Sequence, residues 1–512
     1  MRARRLLHDS LVEATEQDAS KEALVVDGER FSYEDVLGRA LGFAGALLEH
    51  GLDRGDRVVV FTDNSLACVV SVFGTLLAGG VFVVVNPQTK EDKLAYILTD
   101  SGAAFLVTEG SIALVAARAL EGVPSVKAAV CRAAPDGVDG MLDFDALVAD
   151  SSPPATTPGT IPLDLAALIY TSGTTGNPKG VMMTHQSMVF AAGSIAEYLR
   201  LRRQERILGV VPLAFDYGLY QLLMSVHLGA TLVLERSFVY PAQTLKQVDA
   251  EEVTVFPGVP TIFATLVSMH ERAALRYPTV ERITNTAAAL PPTFHDPLRE
   301  IFPNALVFRM YGLTECKRVS YLEPELLEAK PTSVGKAIPG TETLVLDADL
   351  RPVAPGQTGI LHVRGPHVMA GYWRQPELSA EMLVAGPFPG ERMLCTHDHF
   401  TVDEEGFLYF VGRSDDIIKT RGEKVSPIEV ENALYAIPGV REAAVIGFPD
   451  ELLGEAIHAY VAVDGGAELT ERDVLAGCRE RLEGFMVPAR VTFLDELPKT
   501  ATGKIRKKGL TE

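Results

Sequence analysis

Tyr170-Thr-Ser-Gly-Thr-Thr-Gly-Asn-Pro-Lys-Gly180 decides how the rest of the chain is read. Four Ser/Thr hydroxyls, three glycines and one lysine follow directly on the apolar run from Leu165 to Ile169. A strand that empties into such a loop offers backbone N–H groups, hydroxyl donors and a cation to one bound anion, and triphosphate is the natural candidate. Composition alone would equally allow a surface turn. The spacing excludes the Walker pattern, because no Gly-Lys-Ser/Thr follows a glycine four residues earlier.

The bulk numbers set the frame. At 512 residues the chain exceeds one ordinary core, so two or more domains are expected. A hydrophobic content of 47% with 44 Gly and 31 Pro fits a turn-rich globular protein. The formal charge of −20 argues against a nucleic-acid groove. Five scattered cysteines form no Cys-x-x-Cys pair, which gives no zinc framework and suits a reducing cytosol; a cytoplasmic protein is expected. Val69 to Val85 is the most apolar stretch. Ser71, Gly74, Gly79 and Gly80 interrupt it, so it reads as buried helix, Gly-Gly turn and buried strand, with no membrane span.

Along the chain, Phe31 to Glu49 carries helical spacing with Ser32 as N-cap and Gly51 past its end. Arg57 to Phe61, Val81 to Val85 and Ala104 to Val107 read as strands between helical stretches, the pattern of βαβ units in a parallel sheet covered on both faces. Alternation resumes after the loop, with helices over Met188 to Leu199 and Tyr220 to His227 and strands over Arg206 to Val211, Thr231 to Leu234 and Val253 to Phe256. From Thr343 the segments are short and extended, a smaller β-rich subdomain, and beyond Arg413 lies an α+β unit of about 100 residues. The fold class expected is α/β: a large N-terminal domain of two α/β subdomains plus a small β-rich one over 1–414, and a mobile α+β C-terminal domain over 415–512.

Further motifs fall in order. Phe308 to Glu315 reads Phe-Arg-Met-Tyr-Gly-Leu-Thr-Glu, Thr396-His397-Asp398 follows, then Gly412-Arg-Ser-Asp-Asp-Ile-Ile-Lys-Thr-Arg-Gly422, and Leu497 to Arg506 reads Leu-Pro-Lys-Thr-Ala-Thr-Gly-Lys-Ile-Arg. Together with the opening loop they resemble the adenylate-forming superfamily over essentially the whole chain. That superfamily contains acyl- and aryl-CoA synthetases, adenylation domains of peptide synthetases and firefly luciferase.

The resemblance implies ATP and Mg²⁺ as cofactors and assigns roles residue by residue. Thr171, Ser172, Gly173, Thr174, Thr175, Gly176 and Lys179 would clamp the phosphates. Tyr311 would stack on adenine with Gly312 beside it, Thr314 would contact the phosphate side, and Glu315, with Thr174, would hold Mg²⁺. Asp398 and Arg413 would take the ribose, although His397 replaces the usual glycine and puts the local backbone in question. Lys504 would be the catalytic lysine, stabilising the oxygens that become negative as carboxylate attacks the α-phosphate. Asp415 would be the pivot on which the C-terminal domain turns between half-reactions, with Lys419, Arg421 and Gly422 on the thioester-forming face.

The acid would lie between Pro212 and Glu315, lined by Phe215, Asp216, Tyr217, Tyr220, Gly258, Asn285, Ala287, Cys316 and Lys317, with Arg318 next in line. Asp216 matches the position where amino-acid adenylation domains keep an aspartate for the substrate amino group. This tilts the reading toward an amino or β-amino acid, since a buried carboxylate facing an ammonium can be favourable and an unpaired one is costly. A structural acid in an acyl- or aryl-CoA synthetase is the alternative, and a luciferase-type oxygenase a remote one. Lys317 or Arg318 could pair with a second substrate carboxylate or face solvent. With no carrier segment after Leu510, the phosphopantetheine thiol is expected in trans, from a carrier protein or otherwise from CoA.

Overall fold

The computed structural model describes residues 5–512 apart from 156–157, 172–176, 287–289, 291, 414–415, 417, 421–422, 451–452, 464–468, 483, 500–504, 508 and 511–512. Local signals place the early elements. Ser32 caps the helix Tyr33–Glu49 through a capping box with Asp35, which satisfies two N-terminal donors at once. Ser65 accepts from the Cys68 amide at the head of Leu66–Leu77, the buried helix inside the apolar stretch, and Val81–Val85 follows as a fully buried strand.

Two large sheets form the bulk of the molecule. In one, Leu306–Tyr311, Arg282–Asn285, Val255–Gly258, Arg206–Gly209, Thr231–Leu234 and Glu22–Val26 lie side by side and pair in parallel. In the other, Leu165–Thr171, Val81–Val85, Arg57–Phe61, Ala103–Glu109 and Ala128–Arg132 do the same. The parallel strands expected from the alternation are present, and antiparallel strands are added at the edges. Leu165–Thr171 and Lys179–Thr184 pair antiparallel, with Thr171 opposite Lys179, and Gly371–Tyr372 adds a further antiparallel edge. The glycine-rich loop therefore joins two antiparallel strands, whereas a Walker loop joins a strand to a helix.

Short antiparallel strands, Glu342–Leu346, Gly359–Arg364, Leu383–Ala385, Arg392–Val402 and Leu408–Arg413, make the third sheet. The C-terminal unit has Ile418–Thr420, Glu423–Val425, Val440–Asp450, Gly454–Val463 and Arg490–Phe493 in one sheet, packed by helices Pro427–Tyr435 and Glu471–Arg479. It owns a separate apolar core that includes Ile418, Val430, Leu434, Val445, Val461 and Val474. The architecture is thus a large N-terminal α/β domain with a small β-rich part and a small C-terminal domain. No helix among the described residues is long and apolar enough to cross a membrane.

Candidate active site

The strands Val255–Gly258, Arg282–Asn285 and Leu306–Tyr311 end at one edge of their sheet, and the residues that follow those carboxyl ends form one flank of the site. Tyr311 is the last residue of its strand. The chain then folds back at once: Val319 donates to the Tyr311 carbonyl at 2.9 Å. That reversal brings Gly312 against the Lys317 carbonyl so closely that a Cβ would lie 2.1 Å from it. Only glycine fits, and this is the physical reason for the glycine between Tyr311 and Glu315.

Around Tyr311 the structure brings together what the sequence assigns to adenine and ribose. Its hydroxyl donates to Asp398 Oδ2 at 2.5 Å, and Arg413 Nε donates to Asp398 Oδ1 at 3.2 Å. The Tyr311 ring lies 4.9 Å from Phe400 and 5.9 Å from Phe410, centre to centre. Burial, reinforced by the Asp398 carboxylate, pushes the Tyr311 hydroxyl well above the usual phenol range, so it remains a donor. Asp398 is buried and receives Arg413 from a neighbouring strand in register with it. His397 takes φ +56°, the left-handed conformation that a glycine adopts freely, so it holds the bulge inside the strand Arg392–Val402 and carries the strain.

Glu315 is half-buried, and Tyr372 is its hydrogen-bond donor among the described residues, at 2.6 Å. Burial first, then the carboxylate, raises the Tyr372 hydroxyl. Lys179 Nζ lies 5.7 Å above the same tyrosine ring. Tyr372 pairs in register with Val181, two residues from Lys179, so one edge strand joins the phosphate-loop lysine to the acidic residue of the other sheet. A carboxylate with one donor beside a lysine suits a site for Mg²⁺ and polyphosphate, in which a cation must lie between the carboxylate and the phosphates. Thr171 ends its strand opposite Lys179, while Ser172, Gly173, Thr174, Thr175 and Gly176 lie outside the described residues.

Beside the stretch expected to bind the acid, Asn64 holds the backbone around Pro212. Its side chain accepts from the Leu213 amide at 2.8 Å and donates to the carbonyls of Val211 and Glu235. The following helix, Asp216–Leu228, begins four residues before the expected Tyr220, because Phe215 turns extended and caps it. Gly218 lies so close to the Pro212 carbonyl that a Cβ would stand 2.2 Å away. Tyr217 is a tether, its hydroxyl 2.7 Å from both the carbonyl and Oγ1 of Thr284, and Tyr220 is fully buried.

Asp216 does not stand open. Arg318 Nη1 donates to its Oδ2 at 3.1 Å and Lys317 Nζ lies 3.5 Å from Oδ1. Lys317 also donates to the Thr314 carbonyl at 3.0 Å, and the Arg318 guanidinium stacks 4.9 Å over the Tyr217 ring. The expectation that these cations could face solvent is corrected: side-chain exposure is 0% for Lys317 and 4% for Arg318. Burial lowers the Lys317 ammonium from its ordinary range, with Asp216 opposing that shift. Burial also raises the Cys316 thiol well above the usual range, leaving an inert neighbour.

Gly258 and Asn285 stand opposite each other at the strand ends. Asn285 succeeds Thr284, so strand alternation sends its side chain to the sheet face opposite the Tyr217 tether. It is buried with neither amide atom partnered among the described residues. Ala287 lies outside the described residues, as do Asp415, Arg421, Gly422 and Lys504. The chain around Lys504 is anchored nonetheless: Lys499 and Ile505 form an antiparallel bridge, Arg506 donates to the Pro498 carbonyl at 2.7 Å, and Lys507 pairs with Glu431 at 2.8 Å. Lys419 sits in the strand Ile418–Thr420.

Three participants escape a reading of the sequence alone. Tyr372 falls among the short extended segments after Thr343, outside the motifs quoted above. Asn64 gives no local signal. The pairing of Asp216 is hinted at only by two cations placed directly after the Glu315 motif.

Comparison with known proteins agrees with this geometry. The family model "AMP-binding enzyme" matches residues 11–373 and "AMP-binding enzyme C-terminal domain" matches 429–504. The chain belongs to the AMP-binding enzymes: it is a ligase of the class that uses ATP to adenylate a carboxylic acid. It is 32% identical to a long-chain-fatty-acid–CoA ligase of Bacillus subtilis (strain 168), covering 99% of this chain and 94% of that protein. It is 30% identical to part of tyrocidine synthase 3 of Brevibacillus parabrevis, over 98% of this chain and 8% of that protein. Among solved structures it superposes on the anthranilate CoA ligase AuaEII in complex with anthranoyl-AMP with a TM-score of 0.90 at 27% identity, covering 99% of this chain and 96% of that one.

Proposed function

We propose that this ligase joins its acid to the thiol of free CoA. The observation that carries the acceptor is likeness, along nearly the full length, to proteins named CoA ligase or CoA synthase; for the acid it is the state of Asp216, whose carboxylate is already met by Lys317 and Arg318. A substrate ammonium brought to this pocket would meet two buried cations, so the electrostatic case for an amino acid weakens.

In the first half-reaction Tyr311, Asp398 and Arg413 orient the nucleoside, and Lys179 with the loop hydroxyls of Thr171, Ser172, Thr174 and Thr175 holds the leaving phosphates. Glu315 and Thr174 would hold Mg²⁺, which when bound supplies charge neutralisation at the phosphates. Lys504 stabilises the negative oxygens as the acid carboxylate attacks the α-phosphate and pyrophosphate leaves. In the second, the C-terminal domain, hinged at Asp415 after residue 414, turns to remove Lys504 and present Lys419, Arg421 and Gly422. The thiol then displaces AMP.

Transfer of an amino acid to a carrier protein is the second reading, favoured by the likeness to part of tyrocidine synthase 3. Incubating the protein with ATP, Mg²⁺ and an acid panel, with either CoA or a phosphopantetheinylated carrier, separates the two. Mass spectrometry is expected to find acyl-CoA; an acylated carrier with no acyl-CoA overturns the proposal.

A further inference from the structure

We propose that Arg318, set in place by Asp216 and Lys317, recognises a second anionic group on the acid, so that the substrate is a short acid of the dicarboxylate class. The inference rests on the ligase reading above and names the substrate of that site.

The charge count comes first. Asp216, Lys317 and Arg318 lie within 3.5 Å of one another through Asp216, with side-chain exposures of 11%, 0% and 4%. Two basic side chains are buried against a single carboxylate here, an arrangement that is costly unless further acceptors complete it. Glu315 also acts on Lys317, and its carboxylate accepts the Tyr372 hydroxyl. The neighbouring His367 is uncharged at neutral pH.

Unused donors point the same way. Arg318 spends Nη1 on Asp216 and on the Lys317 carbonyl, whereas its buried Nε has no acceptor among the described residues. The buried Tyr220 hydroxyl, which feels the charges of both Asp216 and Arg318, has none either. Spare N–H and O–H donors beside a buried guanidinium are the complement of a carboxylate.

The backbone gives a third, independent sign. Lys317 adopts φ +69°, a left-handed conformation that a non-glycine residue holds only when its surroundings enforce it, and such residues cluster at ligand clamps. Its ammonium also bonds the Thr314 carbonyl at 3.0 Å, within the phosphate-side motif. The second anionic group therefore sits within a few bonds of the carboxylate that is activated.

ATP–pyrophosphate exchange tests this with malonate, succinate and glutarate against their monomethyl esters, butyrate, benzoate and β-alanine. A dicarboxylate is expected to exceed its own monoester by about 100-fold or more in kcat/KM, because a site built for a polar group leaves it unpaired with the isostere. Arg318→Gln is expected to erase that preference mainly through KM for the dicarboxylate. Should this variant fail to fold, the wild-type panel still decides. Best exchange with β-alanine would return Asp216 to the role of ammonium ligand, and monoesters equal to diacids would make the cluster structural; either overturns the inference. Absence of exchange with every acid would instead overturn the ligase reading. Calorimetric titration of the protein with the dicarboxylates then tests the subsite alone: binding that the monoesters lack supports it, and no binding overturns it.

Discussion

The proposed nucleotide side and the proposed acid side of this site are built in different ways. The nucleotide side lies where three sheets meet: Tyr311 closes a strand of one, Lys179 and Tyr372 lie at the edge of the second, and Asp398 and Arg413 face each other in register in the third. Each side chain is fixed by strand pairing, so its position follows from its place in a motif. The acid side has no such ladder. It is a helix start, Asp216, clamped to a strained loop, Lys317 and Arg318, over a gap of about a hundred residues. Strand registers make a site that many acids can share, whereas a helix end against a loop can be rebuilt for one acid at a time.

The largest expected effect separates chemistry from both sides. Lys504→Ala is expected to lower ATP–pyrophosphate exchange by about a thousandfold or more, while thioester formation from a preformed acyl-adenylate continues. Equal loss in both half-reactions would sink the domain-rotation reading.

Next comes the acid side's sensitivity to pH. His367 is buried beside Lys317, and burial with that positive charge brings its imidazole from 6.5 down to about 4. The unfolded chain binds this proton first, so the stability is fully present above about pH 6.5 and is lost as pH falls toward 4. The window is worth up to about 3 kcal/mol. Urea midpoints at pH 7 and pH 4.5 should differ less for His367→Gln than for the wild type; an unchanged slope breaks the assignment.

Gly312→Ala sets a Cβ 2.1 Å from the Lys317 carbonyl and must move the loop that both sides share. A cost of about 2 kcal/mol is expected, near a 30-fold fall in exchange, with KM rising for ATP and acid together. A rise in only one KM would show that the two sides do not meet at this loop.

The smallest effect belongs to Tyr311→Phe. It removes the donor to Asp398 but leaves Arg413 in place, so KM for ATP should rise about fivefold and KM for the acid should stay constant. A matching change in acid KM would blur the division of the site.

Much of this is legible in the sequence because it is local. The cap at Ser32, the buried strand Val81–Val85 and the strand Arg57–Phe61 obey short-range rules of capping and apolar patterning. The nucleotide motifs are equally local, a few residues at fixed spacing. The start of Asp216–Leu228 falls four residues before its local pattern suggests, because Phe215 and Gly218 fix it through contact with the Pro212 turn, which no local pattern announces.

Asp216 shows the limit most clearly. In sequence it is an acid behind an aromatic residue, and its match to the aspartate of amino-acid adenylation domains suggests a bond to an ammonium. The sequence determined that this chain adenylates an acid, because the glycine-rich loop and the motifs after it, each local and in order, together mark the family. Only the tertiary structure decided that Asp216 is already neutralised, because its partners lie about a hundred residues away and are delivered by a loop reversal that depends on Gly312. A charge's meaning depends on what stands within a few ångströms of it, and that distance is not written along the chain.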